Sequence, residues 1–183
     1  MSHPFFTIGH SNRTLEEFLA LLAPNGITRV VDVRTVPRSR ANPQYNRETL
    51  PDSLAPHGVA YEHIAALGGL RGRDRQGTPP GVNGFWQNQS FHNYADYAMT
   101  PGFRAGLERL FEIAELERCA YMCAEAVWWQ CHRRIITDYL LASGREVFHI
   151  IGSDVPEPAR LTPEAVPHAG ALAYPASQRG LPL

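Results

Sequence analysis

Between Cys119 and Gly152 the chain carries two short apolar runs on either side of a helical period, and no other feature limits its fold so strongly. Ala120 to Cys123 is short, continuous and apolar, as in a strand covered on both faces. Glu146 to Ile151 is a second such run, closed by Gly152. Between them Ile135, Ile136, Tyr139, Leu140 and Ser143 recur at helical spacing, and Gly144 supplies a helix stop. Strand, loop, helix and strand in that order make a βαβ unit with a right-handed parallel crossover. Open parallel sheets place their chemistry where strands give way to loops, beside helix amino ends. At that junction stand Cys123, Glu125, Cys131, His132, Arg133 and Arg134, and no other stretch is so rich in reactive groups.

The amino-terminal part repeats the pattern. Pro4 to Ile8 reads as a strand ending at Gly9-His10-Ser11-Asn12. Thr14 with Glu17 three residues on makes a capping box, followed by an apolar stripe of Leu15, Phe18, Leu19 and Leu22. Pro24-Asn25-Gly26 ends that helix, and Ile27 to Val33, rich in β-branched residues, is the next strand. Residues 4 to 34 thus form a second βαβ unit. Arg38 to Asn46 is a polar loop, Arg47 to Leu54 a short helix, and Val59 to Ile64 a third strand. Gly68-Gly69 opens a long loop to about Gln89, for which a lid and a disordered segment are both open readings. Phe91 to Ala98 and Phe103 to Glu117 read as helices, the second buried along Leu107, Leu110, Phe111 and Ala114. Residues 153–183 form a proline-rich wrap without a convincing strand, with room for a short helix after Leu161-Thr162-Pro163-Glu164, and with Leu172 and Tyr174 as anchors. The expectation is one α/β domain over residues 1–183, with an open, mainly parallel sheet of about five strands and helices on both faces.

A hydrophobic content of 44% and a charged content of 19% belong to a soluble globule, with no apolar run long enough to span a membrane. The start of the chain lacks the basic and apolar regions of a secretion signal. Three cysteines cannot all pair with one another, and two lie in the reactive loop, so a reducing cytoplasm is expected. A net charge of −1 excludes a broad electrostatic attraction to nucleic acid. The distribution is more telling. Arg34, Arg38, Arg40, Arg47, Arg71, Arg73 and Arg75 share a segment whose acids are Glu48, Asp52, Glu62 and Asp74. Such an excess suits an anionic ligand, since the guanidinium fork matches phosphate or carboxylate, and it equally suits a solvated, ion-paired surface.

Each reactive residue admits a working role and a bland one. Cys131, followed by His132-Arg133-Arg134 at a helix start, has the surroundings that stabilise a thiolate, and Cys123 would face the same crevice from its strand end. The bland alternatives are a buried apolar Cys123 and a helix-start Cys131. Glu125 could serve as base, nucleophile or orienter of an arginine, or form a structural ion pair with Arg133 or Arg34. His132 and Arg133 could hold an anion at the helix amino end. His10 and Ser11 end the first strand, and Asp32 and Arg34 the second, so both pairs would face that crevice if the strands are neighbours. Arg38 and Arg71 would add cations. Zinc or iron on Cys123, Glu125, Cys131 and His132 is conceivable, but the spacing fits no established zinc signature, so no cofactor is expected.

The residues TIGHSNRT, VVDVRTVPRSR, NPQYN, LGGLRGR and CAEAVWWQCHRR together resemble the DUF488 family, from Thr7 to about Tyr174. The family pattern of Cys-x-Glu, a spacer and Cys-His-Arg stands here as Cys123, Glu125, Cys131, His132 and Arg133. The spacer Ala126-Val127-Trp128-Trp129-Gln130 is bulkier and more apolar than the acidic, proline-containing one of many members. The resemblance implies an α/β fold and a shared site, without a substrate. A weaker likeness, of architecture only, is to rhodanese-type sulfurtransferases and cysteine phosphatases, although nine residues separate Cys123 from Arg133 and no phosphate-cradling glycine is present. The functional expectation is therefore an enzyme acting on a small anionic or phosphate-bearing compound, such as a nucleotide or a nucleic-acid end, by cysteine or glutamate chemistry. Sulfur transfer, and a non-enzymatic nucleic-acid or protein-binding module, are the alternatives.

Overall fold

The first strand, β1 (Phe5–Gly9), is buried along its whole length. The computed structural model that shows this describes residues 3–73, 77–79, 81–152 and 155–176. After β1 comes α1 (Leu15–Leu22), which opens with the expected capping box: the Thr14 hydroxyl accepts from Glu17 N–H, and the Glu17 carboxylate accepts from Thr14 N–H. There follow β2 (Arg29–Asp32), α2 (Leu50–Leu54), β3 (Ala60–His63), α3 (Gln89–Ala98) and α4 (Pro101–Leu116). The reactive unit is β4 (Cys119–Cys123), α5 (Arg133–Ala142) and β5 (Val147–Ile150).

These strands lie in the order β3-β2-β4-β1-β5, all parallel. Neither βαβ unit therefore joins neighbours, which corrects the simplest reading of both. β4 lies between β1 and β2, and β1 lies between β4 and β5. The segment buried at every position, CAYMC, takes a central place, and each crossover skips one strand. Successive side chains of a strand point to opposite faces. Phe6, Ile8, Val30 and Met122 accordingly pack on Phe18 and Leu22 of α1 and on Leu50 and Leu54 of α2. Phe5, Val31 and Tyr121 pack on the other face against α4 and α5. Gly106 lets α4 approach the turn at Ala65–Leu67, since a Cβ there would stand 3.0 Å from Ala66 Cβ. Phe111 is only half-buried, at the border of the α4 stripe, and Ile113 takes the inner position instead.

The tail departs from the expected wrap. A short strand, β6 (Glu157–Pro158), adds antiparallel to β5 at the sheet edge, and β7 (Val166–His168) pairs with β8 (Ala171–Ala173). A turn, not a helix, follows Thr162. The anchors are as expected: Leu172 and Tyr174 are buried. Asp138 of α5 binds this segment through Thr162 N–H (2.8 Å) and Tyr174 O–H (3.0 Å). Of the 68–89 loop, for which a lid and disorder are both open from sequence, residues 74–76, Arg75 among them, and 80 lie outside the described residues. The described flanks are tied down. Leu70 N–H donates to Thr35 Oγ1, and Phe85 N–H to Tyr174 O.

His149 of β5 is buried with both ring nitrogens lacking a hydrogen-bond partner among the described residues, and Trp128 stacks flat on it at 4.3 Å. Burial, helped by the Arg133 charge, lowers its pKa from 6.5 to about 4. The unfolded chain thus takes up this proton more readily than the folded one. The resulting stability is fully present above pH 6.5 and is lost as the pH falls toward about 4. At most roughly 3–3.5 kcal/mol is at stake. His149→Phe, which keeps the stack, should flatten the fall in Tm across that window; an unchanged slope would refute the assignment.

Candidate active site

The interleaved strand order brings the carboxyl ends of β1, β4 and β2 side by side. Pairing runs past the strands proper: His10 N–H donates to Cys123 O, Ser11 N–H to Ala124 O, and Val33 N–H to Met122 O, each at 2.9 Å. Gly9 allows the loop after β4 to press on β1, because a Cβ there would stand 1.7 Å from Glu125 O. Above these ends opens a cleft of about 430 Å3, with Cys123, Cys131 and His132 at its foot and Val36, Leu70 and Phe91 on its walls.

Cys131 Sγ lies 3.5 Å and Cys123 Sγ 3.9 Å from His132 Nδ1. The other ring nitrogen, Nε2, is 2.8 Å from Val33 O and must carry a proton to bond it. Nδ1 is then the nitrogen that gives or takes a proton at the sulfurs. Tyr94 meets the ring edge-on at 5.0 Å. Gly69 covers its face: a Cβ at Gly69 would lie 2.4 Å from Nδ1, 2.7 Å from Cγ and 2.9 Å from Cε1, so only glycine fits. These three donors are the group among the described residues that could hold a metal ion, all within 4.8 Å of one another.

Beneath them Arg133 is 1% exposed and has no carboxylate partner among the described residues. Its Nε–H donates to Cys131 Sγ (3.4 Å), one amino group to Thr7 Oγ1 (2.8 Å) and the other to Glu125 O (2.5 Å). A buried cation needs a nearby anion, and here the sulfur is the candidate. Burial works against charge on Cys131, but the Cys123 thiol and the His132 and Arg133 side chains outweigh it and hold the Cys131 thiol well below its usual range. Cys123 is pushed well above it, by the Cys131 sulfur first and by burial second. The two sulfurs titrate together, each ionisation opposing the other, and their surroundings favour charge at Cys131 over Cys123.

The neighbouring arginine is already engaged. Arg34 donates to both carboxylate oxygens of buried Asp32 (2.9 and 2.6 Å) and to Tyr45 O (2.6 Å). Tyr61 O–H also donates to Asp32 (2.7 Å). Arg34 completes its set at His10 Nε2 (3.2 Å), and the other His10 nitrogen bonds Ser11 O at 2.8 Å. Burial lowers the His10 pKa to about 4, in keeping with an acceptor nitrogen facing arginine. Tyr45 stacks on His10 at 4.1 Å.

Of the residues expected at the site, His10, Arg34, Arg38, Cys123, Glu125, Cys131 and His132 border the cleft. Asp32 and Arg133 lie under it as supports. Ser11 stands beside it in a left-handed turn (φ 51°), with its hydroxyl on Asn12. Arg71 is elsewhere, laid over Tyr97 at 3.7 Å and bonded to Gly68 O and Ala65 O. Arg38 reaches the rim and pairs with exposed Glu48 at 2.8 Å. Glu125 is exposed, and its carboxylate has no partner among the described residues, so the ion pair considered for it does not form; Arg133 bonds its carbonyl instead. Trp128 packs on His149 and Trp129 is exposed. Sequence reasoning passed over Thr7, Tyr45, Tyr61, Tyr94 and the Gly69 contact. A hydroxyl within an otherwise apolar first strand was the available signal for Thr7.

The family model described as domain of unknown function DUF488 matches residues 14–140. No curated protein and no solved structure matches the chain. The matched span contains β2, β4 and the whole Cys123–Arg133 segment, and omits β1 and the tail.

Arg133→Met would leave Thr7 Oγ1 and Glu125 O without their donor. At about 1–3 kcal/mol for each acceptor left without its donor, the variant should lose roughly 2–6 kcal/mol of stability in denaturant unfolding. A loss within error of zero would show that this arginine is not a structural centre.

Proposed function

The chain belongs to the DUF488 family, and from the geometry of its cleft we propose that it is an enzyme acting on a small anionic substrate through the sulfur of Cys131. The observation that carries this reading is the meeting of two sulfurs and one imidazole nitrogen at the foot of an open cleft, over a buried guanidinium. Cys131 is the nucleophile. Its sulfur bonds to the electrophilic centre while the leaving group departs with the electron pair of the broken bond and takes a proton that His132 Nδ1 relays from the Cys123 thiol, which regains one from the water that clears the adduct. Glu125, whose carboxylate is free, activates the water that clears the adduct and restores the sulfur. Arg38 supports the anionic character of the substrate. Exposed, solvent-screened pairs such as Arg38–Glu48 contribute little, so an incoming anion can replace Glu48.

The adjacent Cys123 favours a second reading, sulfur transfer. The Cys131 thiolate takes a sulfane sulfur from an anionic donor, the remainder leaves with the electron pair of the broken bond, and the persulfide passes that sulfur to an acceptor. Mass spectrometry of the intact chain separates the two: an added acyl or phosphoryl group against an added sulfur atom, each lost in Cys131→Ser.

Selective alkylation tests the shared premise. At neutral pH iodoacetamide should label Cys131 roughly tenfold or more faster than Cys119, which is buried in β4 with its thiol pushed up to about 12. Equally slow labelling of all three cysteines would end the proposal.

A further inference from the structure

We infer that Cys123, Cys131 and His132 form a three-donor site for a zinc-like divalent cation, with the fourth coordination position open to the cleft. The inference takes the cleft as the working face from the preceding reading and describes the metal-loaded chain, in which Cys131 and His132 serve as ligands and not as nucleophile and proton carrier. Around one tetrahedral ion, with metal–sulfur bonds of ~2.3 Å and metal–nitrogen bonds of ~2.0–2.1 Å, the donor atoms stand about 3.5–3.8 Å apart. Here the two sulfur-to-nitrogen separations are 3.5 and 3.9 Å, and all three donors lie within 4.8 Å. Two sulfurs and an imidazole nitrogen form a borderline-soft set that suits zinc better than magnesium or calcium.

The surroundings supply what metal ligands need. A ligating histidine ordinarily donates its second N–H to a carbonyl or carboxylate, and His132 Nε2–H does so to Val33 O. That bond leaves Nδ1 as the donor on the sulfur side. The ring is held between Gly69 on its face and Tyr94 at its edge. The Cys131 sulfur receives an N–H from Arg133, a hydrogen bond that lowers its charge. The spacing that fits no zinc signature misleads here. Cys131 and His132 are adjacent, yet the break between the 3-10 turn at Trp128–Gln130 and α5 turns both toward Cys123.

Charge decides what completes the site. Two thiolates cancel a divalent cation, and the buried Arg133 leaves one positive charge over. The fourth ligand is therefore an anion entering from the cleft, with a carboxylate, a phosphate oxygen and hydroxide as the chemical class. Glu125 is free and on the same rim, but it stands outside the three-donor group.

The full-length chain, stripped with a chelator and titrated with Co2+, should bind one equivalent, with a sulfur-to-metal charge-transfer band and the intense d–d bands of a four-coordinate ion. Thiocyanate should shift those bands by entering the open position. Zn2+ should compete with Co2+ and protect Cys123 and Cys131 from iodoacetamide. Cys123→Ser, Cys131→Ser and His132→Ala should each weaken binding by more than the ~10–100-fold typical of outer-shell changes. Cys119→Ala should bind normally. The protection assay uses the unaltered chain, so it stands even if a variant misfolds. Lack of stoichiometric binding, six-coordinate bands, or lack of protection would overturn the site, and bands indifferent to thiocyanate would overturn its open position. Selective labelling of Cys131 in stripped protein tests the enzyme proposal separately, whichever way the metal result falls.

Discussion

A single guanidinium holds the working end of this molecule together. Arg133 begins α5, yet its donors reach β1 through Thr7, the loop after β4 through Glu125 O, and the sulfur of Cys131. It carries its charge at 1% exposure with no carboxylate nearby among the described residues. Burying a cation in this way is costly unless the geometry is good and an anion is close. The result ties structure to reactivity. The cation that joins three elements also favours the ionised sulfur, so the fold and the chemistry cannot be varied independently at this residue.

The other cations of the region behave differently. Arg34 is committed to Asp32 and Tyr45, and Arg71 to Tyr97 and the turn before it. Composition alone makes the 34–75 segment look like one anion-binding surface. The contacts divide it into supports, a clamp for the 65–71 turn, and a rim arginine on a weak exposed pair. Beneath the cleft the cations are fixed by their hydrogen bonds, and only Arg34 has a carboxylate partner among the described residues. At its rim the positive charge is exchangeable.

This division marks the limit of what could be read from the residues. The capping box at Thr14, the β-branched strand at Val30 and Val31, and the helical period of Ile135, Ile136 and Leu140 are local patterns, and local patterns survive as plain sequence. The meeting of Cys123, Cys131 and His132 was also readable, because strand end, loop and helix start are set within fifteen residues. The strand order was not, since which strand inserts between which depends on packing between distant segments. Nor could it be read that β6 would pair with β5, because two residues with a proline carry no period. Tyr45 looked like part of a polar loop, yet its ring stacks on His10 and its hydroxyl bonds Arg13 O. A residue list shows charges and rings. It does not show which of them are already spent on one another.

The interleaved sheet also has a consequence in time. β1 finds its hydrogen-bonding neighbours in β4 and β5, both more than a hundred residues later, whereas β2 can pair early with β3. During synthesis β1 emerges well before its partners and waits for residues 119–123 before it has an edge to join. Closing so long a loop before any pairing rewards it is a slow route. Until it closes, the aromatic stretch Phe5-Phe6 lacks its sheet neighbours, and transiently exposed apolar surface of this kind favours aggregation over folding.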